Sequence, residues 1–330
     1  MTPLTPLGAE GCLRNEGRRD AGASRTVLGD MRPRYRISVL LLGFGLAATA
    51  SREVTAQSLE RDRGAHRQFL ALNVAIGATA SAARAIVSGV PVRTALVKGL
   101  VGGSLMSTGL ELIGTESPST RFAGLQLTAV GASIARNVDG GAPLISDLTL
   151  PVYPFYLRIR PGTRTPVTAR LSAMSAVRLA TVMTDGSHTH VDWGASLTTG
   201  APVFRSSRWR LPSAGCPPPC AGAFAQHNAG TIVYSASAGT DYDLRRTLAH
   251  ESVHLAQQTR DAVLTGIPLS DAALTRMGGP VRALSRFVVI DVLMPLRLVD
   301  EGEAWMRRAL RRNSWYETEA RAFAPGGELR

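Results

Sequence analysis

The chain has 330 residues, enough for two domains or for one large domain with appendages, and only 5% are aromatic while Gly and Ala abound, which favours close helix packing over an aromatic binding surface. Its net charge of +12 is carried almost wholly by Arg, Lys98 being the sole lysine. The basic residues are scattered, with no nucleic-acid module and no interleaved aromatics, so nucleic-acid binding is not expected; a basic surface near an anionic membrane fits at least as well.

Residues 1–30 are polar, contain Cys12 and lack hydrophobic periodicity, as in a disordered leader or an over-extended gene start. Residues 31–56 read as a secretory signal peptide. Met31–Arg36 supplies a positive start, Ile37–Ala50 an apolar run too short to span a bilayer comfortably, and Val54-Thr55-Ala56 a small-residue cleavage site. An uncleaved N-terminal anchor is the alternative. Both place the protein outside the cytoplasm, in the periplasm or at the cell envelope.

Residues 58–140 read as a helical domain rich in Gly and Ala, broken at Gly89-Val90-Pro91 and at Glu116-Ser117-Pro118. Leu100–Gly109 carries small residues at spacings that let helices approach closely. Because Arg84, Arg93 and Lys98 interrupt the apolar runs, we expect tightly packed helices, with membrane association as the alternative.

Periodicity changes over 145–210, where Tyr156–Arg160, Val167–Leu171 and Val177–Val182 alternate or are β-branched and turn dipeptides separate them. An antiparallel β region is expected. His188 and His190 would share one strand face and offer a second metal pair, although the adjoining Asp185-Gly186 turn favours a solvated loop.

A linker rich in Pro and Gly, 211–230, contains Cys216-Pro217-Pro218-Pro219-Cys220. Export is compatible with a disulfide between Cys216 and Cys220. Three extended prolines would nevertheless hold the two Cα atoms roughly 12 Å apart, beyond the limit near 7 Å, so a bridge requires a cis-Pro or a tight turn. Free or intermolecular thiols are the other reading.

Residues 231–330 hold the stretch with chemistry. Thr231–Ala236 reads as a strand, and a helix is expected from Asp241 to about Asp261, with Thr240 and Asp243 in the spacing of a cap and its acidic partner. Leu244, Leu248 and Leu255 would form its buried stripe, with Ala249 and Val253 as a second, shallower contact. On this helix lies His250-Glu251-Ser252-Val253-His254. Residues four apart share a face, so two imidazoles can meet one metal ion, and Glu251 falls one position round, where a carboxylate can take a proton from a metal-bound water.

This segment resembles the active-site helix of zincin metallopeptidases. Downstream, Trp315–Ala324 contains Glu317-Thr318-Glu319-Ala320 and is similar to the Glu-x-Glu-Ala-x-x-Phe-Ala pattern of gluzincin-type families, in which a Glu from a later helix completes the metal site. The resemblance covers about the last third of the chain. It implies one catalytic Zn²⁺ held by His250, His254 and Glu319, with Glu317 as second choice, and Glu251 as general base acting on a peptide or protein substrate. Tyr316 and Tyr242 are candidate transition-state stabilisers.

Between the two motifs, Val281–Val299 is apolar but carries charges, and is expected as a core helix or lid, or as an amphipathic segment on a membrane. The expected architecture is thus α+β: Gly/Ala-rich helices, a small antiparallel β region and a zincin-like metal-binding domain. The expected function is zinc-dependent peptide hydrolysis. The alternative is a non-catalytic, membrane-associated envelope protein that uses a zincin-like fold as a binding or structural module.

Overall fold

The computed structural model describes residues 63–115, 117–138, 143–184, 188–207, 225–236, 241–277, 279–290 and 315–324. The stretches read as a leader and a signal peptide, 1–56, and the Cys216 and Cys220 pair lie outside the described residues. The fold is mixed α+β.

Three helices come first: α1 (Arg63–Ser88), α2 (Val92–Gly114) and α3 (Pro118–Arg136). They break where the punctuating residues stand. Gly89 takes a left-handed φ of 69° with Pro91 just before α2, and Pro118 occupies the first turn of α3, where its missing N–H costs nothing. Small residues set how closely the three pack: a Cβ on Gly99 of α2 would lie 2.5 Å from the Gly77 carbonyl oxygen of α1. Gly124 of α3 meets the Gly109 carbonyl of α2 in the same way.

Two four-stranded sheets follow. Strands β1 (Leu148–Val152), β2 (Phe155–Ile159) and β3 (Val167–Ser172) form the expected antiparallel meander. Val177–Val182, expected as a strand, lies instead in helix α4 (Ala173–Thr184). The alanines and Leu179 favour a helix, and Leu179 and Val182, three apart, pack together on Phe204 and Val233. In the second sheet the order is β4-β5-β7-β6. Here β4 is Thr189–Val191, β5 Val203–Ser206, β6 Ala225–Asn228 and β7 Thr231–Ser235. A short helix α5 (Trp193–Thr199) stands between β4 and β5, capped by the Asp192 carboxylate accepting from the Ala195 N–H at 2.9 Å and ended by Gly200 at φ 72°.

Pairing of β5 with β7 is parallel and crosses the boundary expected at 211–230. The region expected as β and the region expected to bind metal therefore share a sheet. A single apolar cluster likewise joins Phe69 of α1, Met106 and Ile113 of α2 and Leu125 of α3 to Tyr156 and to Ala249, Val253 and Leu255 further on. The Gly/Ala-rich helices are thus walls of the core that holds the helix carrying His250 and His254.

That helix, α6 (Asp241–Asp261), has the expected span. Its burial differs from expectation: every residue from Thr247 to Leu264 except His254 is buried, so Ala249 and Val253 are as deep as Leu255. A π-helical turn, Ala262–Gly266, carries it on into α7 (Ile267–Arg276), and the wider turn accommodates Pro268. As far as it is described, the apolar stretch after 280 is not one core helix. It is split between α8 (Gly279–Leu284) and β8 (Val288–Val289), which pairs parallel to β3, and residues 291–299 lie outside the described residues. The last element, α9 (Trp315–Phe323), lies against α6.

Candidate metal centre

Helix α6 presents His250 and His254 one turn apart, their ring centroids 4.9 Å apart and nearly perpendicular. Facing them from α9 is Glu317. Its Oε1 lies 3.3 Å from His250 Nε2, and its Oε2 lies 3.3 Å from His254 Nε2. One donor atom from each of the three residues falls within 4.8 Å of the others. A tetrahedral ion with bonds of about 2.0–2.2 Å to imidazole nitrogen and carboxylate oxygen keeps its ligand atoms roughly 3.3–3.6 Å apart, so the two His–Glu separations match such an ion and any wider separation within the 4.8 Å group closes on binding.

Glu319, first choice as third ligand, stands elsewhere. Residues two apart on a helix do not share a face, so only one of the pair can reach the histidines. Glu319 is fully buried and accepts from Arg260 NH1 at 2.9 and 3.2 Å, Asn73 Nδ2 at 2.6 Å and Gln257 Nε2 at 3.0 Å. The second choice, Glu317, is the one that faces the histidines, and its Oε1 also accepts from Arg321 Nε one turn on, which helps orient it.

Gln257 links the two glutamates' surroundings. Its amide N–H groups meet only acceptors, the Tyr316 carbonyl at 2.9 Å and Glu319, and this fixes which end is oxygen. Oε1, 2.8 Å from His254 Nδ1, must then accept from it. The hydrogen on Nδ1 leaves Nε2 to face the metal position, the arrangement that an outer partner imposes on a ligating histidine. His250 differs, its buried Nδ1 having no hydrogen-bond partner among the described residues.

Charges in the group reinforce one another. Burial would lower the His254 pKa, but the hydrogen bond and charge of Glu317 outweigh it and lift the value to about 9. Burial likewise works against ionised Glu317, yet the two histidines hold its carboxyl well below the usual range. Around Glu319, burial opposes the charge of Arg260 and the carboxylates of Glu319 and Asp261 more than restore it.

Glu251 is buried beside the pair, its Oε2 accepting from the His227 backbone N–H of β6 at 2.6 Å. Among the described residues strand β6 is the edge of its sheet, paired with β7 alone through a turn at Ala229 and Gly230 with φ of 47° and 79°. Tyr316 does not point at the histidines: its hydroxyl donates to Asp261 Oδ2 at 2.7 Å, on the stripe of α6 beyond Gln257. The Tyr242 side chain lies outside the described residues. His190 is exposed on β4, and among the described residues neither it nor His188 joins a cluster of three metal-binding groups.

Sequence reasoning passed over Asn73, Gln257, Arg260 and Asp261. A signal was available, since α6 carries Gln257-Gln258-Thr259-Arg260-Asp261 through its buried length, and buried polar groups demand partners. No protein-family model, curated protein or solved structure matches this chain.

Proposed function

We propose that this protein is a zinc-dependent metallopeptidase, and the observation that carries the proposal is the convergence of His250, His254 and Glu317 from two distant helices within 4.8 Å. Two imidazoles and one carboxylate, leaving a coordination position open, are the donor set of a hydrolytic zinc site. Bound there, zinc supplies Lewis acidity and a water acidic enough to ionise near neutral pH.

The chain's own residues supply the rest. Glu251, adjacent to His250 on α6, takes the water's proton and returns it to the leaving amine. The His227 amide holds its carboxylate in place. Gln257 keeps the Nε2 of His254 turned inward, and Arg321 steadies Glu317. Two imidazoles and a carboxylate also suit iron(II), and the adjacent buried Glu251, which oxygen chemistry does not require, favours the hydrolytic reading. A peptide or protein outside the cytoplasm is the proposed substrate, in keeping with the export segment read at 31–56.

Glu251→Gln tests the mechanism. It should retain one zinc per chain and the native fold while peptide hydrolysis falls by roughly 100-fold or more. A variant that cleaves as fast as the parent refutes the mechanism.

A second reading is a metal-holding, non-catalytic module at the envelope. It is favoured by two helices, Gly64–Ser88 and Val92–Gly114, that are long and apolar enough to cross a membrane. Stoichiometric zinc without hydrolysis across a panel of peptides and envelope proteins would select it.

A further inference from the structure

From residue 63 to 110 the chain carries no Asp or Glu, while Arg63, Arg67, Arg84, Arg93 and Lys98 all fall there. The same segment forms the hairpin of α1 and α2, whose turn end presents apolar side chains outward. On α2, Leu96, Val97, Leu100 and Val101 are 38–56% exposed. They lie at i, i+1, i+4 and i+5, so they form one stripe, which Arg93 continues. Ile86 and Val92, on either side of the turn, are exposed as well. Further along α2 the same face becomes polar with Ser104, Thr108 and Glu111. Among the described residues the hairpin's apolar surface is therefore confined to the turn end, where exposed Arg93 and half-buried Arg84 are the charged side chains of the two helices, Lys98 being buried, and the first acidic residue on either helix is Glu111.

We propose that this face rests on an anionic lipid bilayer, with the hairpin lying against the surface rather than crossing it. Apolar side chains on one face with basic residues at its border, free of acidic ones, suit the boundary between acyl chains and anionic headgroups. Crossing is opposed by what the inner faces hold. Asn73 of α1 donates to buried Glu319 at 2.6 Å, His66 bonds the Ala322 carbonyl, and Lys98 of α2 donates to the Asn137 carbonyl at 2.8 Å. Drawing either helix into the acyl region would strand these groups. The inference is independent of the metal reading.

The test is flotation of the full purified chain with vesicles of phosphatidylcholine plus phosphatidylglycerol and, separately, of phosphatidylcholine alone. The parent should float with the anionic vesicles and less so in high salt. Val97→Glu combined with Leu100→Glu should reduce partitioning roughly tenfold or more, with circular dichroism and metal content unchanged. Arg93→Glu should weaken it by a smaller factor. Equal flotation of parent and double variant overturns the proposal, because another segment then holds the lipid. So does a parent that fails to float and sediments as a dimer that the double variant dissociates, since a second copy then covers the face.

Discussion

Glu319 and Arg260 form an ion pair sealed from solvent, with NH1 2.9 Å from Oε1 and the side chains 0% and 1% exposed. Asn73 bridges the pair, donating to Glu319 at 2.6 Å and accepting from Arg260 at 2.6 Å, so α1, α6 and α9 meet at one polar point. A buried charge left without its partner is strongly unfavourable, and this ties α9 to α6 in a single register. That register is what places Glu317 opposite the histidines.

Glu317 and Glu319 should therefore fail in different ways. Glu317→Ala removes the half-buried carboxylate between the histidines and should abolish stoichiometric zinc, while metal-free stability, compared above pH 9 where His254 has lost the proton that Glu317 holds, should stay within about 1 kcal/mol of the parent. Glu319→Gln removes one of the two carboxylates that face buried Arg260, leaving Asp261, and should cost about 3 kcal/mol. Denaturant unfolding of the metal-free proteins beside metal analysis of the loaded ones separates the roles. A Glu317→Ala protein that still holds zinc, paired with a stable Glu319→Gln protein that does not, would reverse the assignment.

Gln257 contributes through orientation. Gln257→Leu removes the acceptor that fixes the His254 ring and should weaken zinc binding 10–100-fold, read by competition with a chromogenic chelator. Gln257→Glu restores an acceptor for His254 but sets a carboxylate against Glu319, which it met at 3.0 Å as a donor. That variant should bind zinc better than Gln257→Leu while being the less stable of the two.

Much of this was legible in local pattern. Helix breaks at Gly89 and Pro118, the strand at Thr231 and the span of α6 follow from turn chemistry and periodicity acting within a few residues. The histidine pair follows from helical geometry alone. The choice between Glu317 and Glu319 does not, because both match the spacing and only the register of α9 on α6 decides it. Arg260 and Asn73 set that register, and they lie 187 positions apart. Val177–Val182 misled for a similar reason: β-branched residues suited a strand, whereas Leu179 and Val182 pack as a helical pair on a sheet that forms later in the chain.

Acid–base behaviour should distinguish metal-free from loaded protein. With its pKa raised from 6.5 to about 9 by Glu317 against the effect of burial, His254 stabilises the metal-free fold fully below pH 6.5. That contribution is lost as pH rises through 9. A zinc ion takes the proton's place on Nε2, so zinc affinity should rise over the same window while the loaded protein keeps its stability. Thermal unfolding between pH 6 and 10, with and without zinc, checks both slopes. Glu317→Gln should flatten the metal-free one.

Helix spacing in the α1–α3 layer should matter to the metal centre although no residue there is a ligand. Gly89 and Gly124 separate the two ways a glycine can be required. At Gly89 the φ is 69° but a Cβ would meet nothing within 4 Å, so Gly89→Asn, which tolerates that region, should cost less than about 1 kcal/mol. At Gly124 a Cβ would fall 2.5 Å from the Gly109 carbonyl and 2.7 Å from Ile113 Cγ1, so Gly124→Asn must push α2 and α3 apart and should cost about 1–3 kcal/mol or more. Ile113 and Leu125 share a cluster with Ala249 and Val253, the residues flanking His250 and His254, so the displacement reaches α6. Zinc affinity should fall with stability in Gly124→Asn and remain at the parent value in Gly89→Asn. Equal effects of the two substitutions on both readouts would show that backbone freedom, not helix contact, is what these glycines supply.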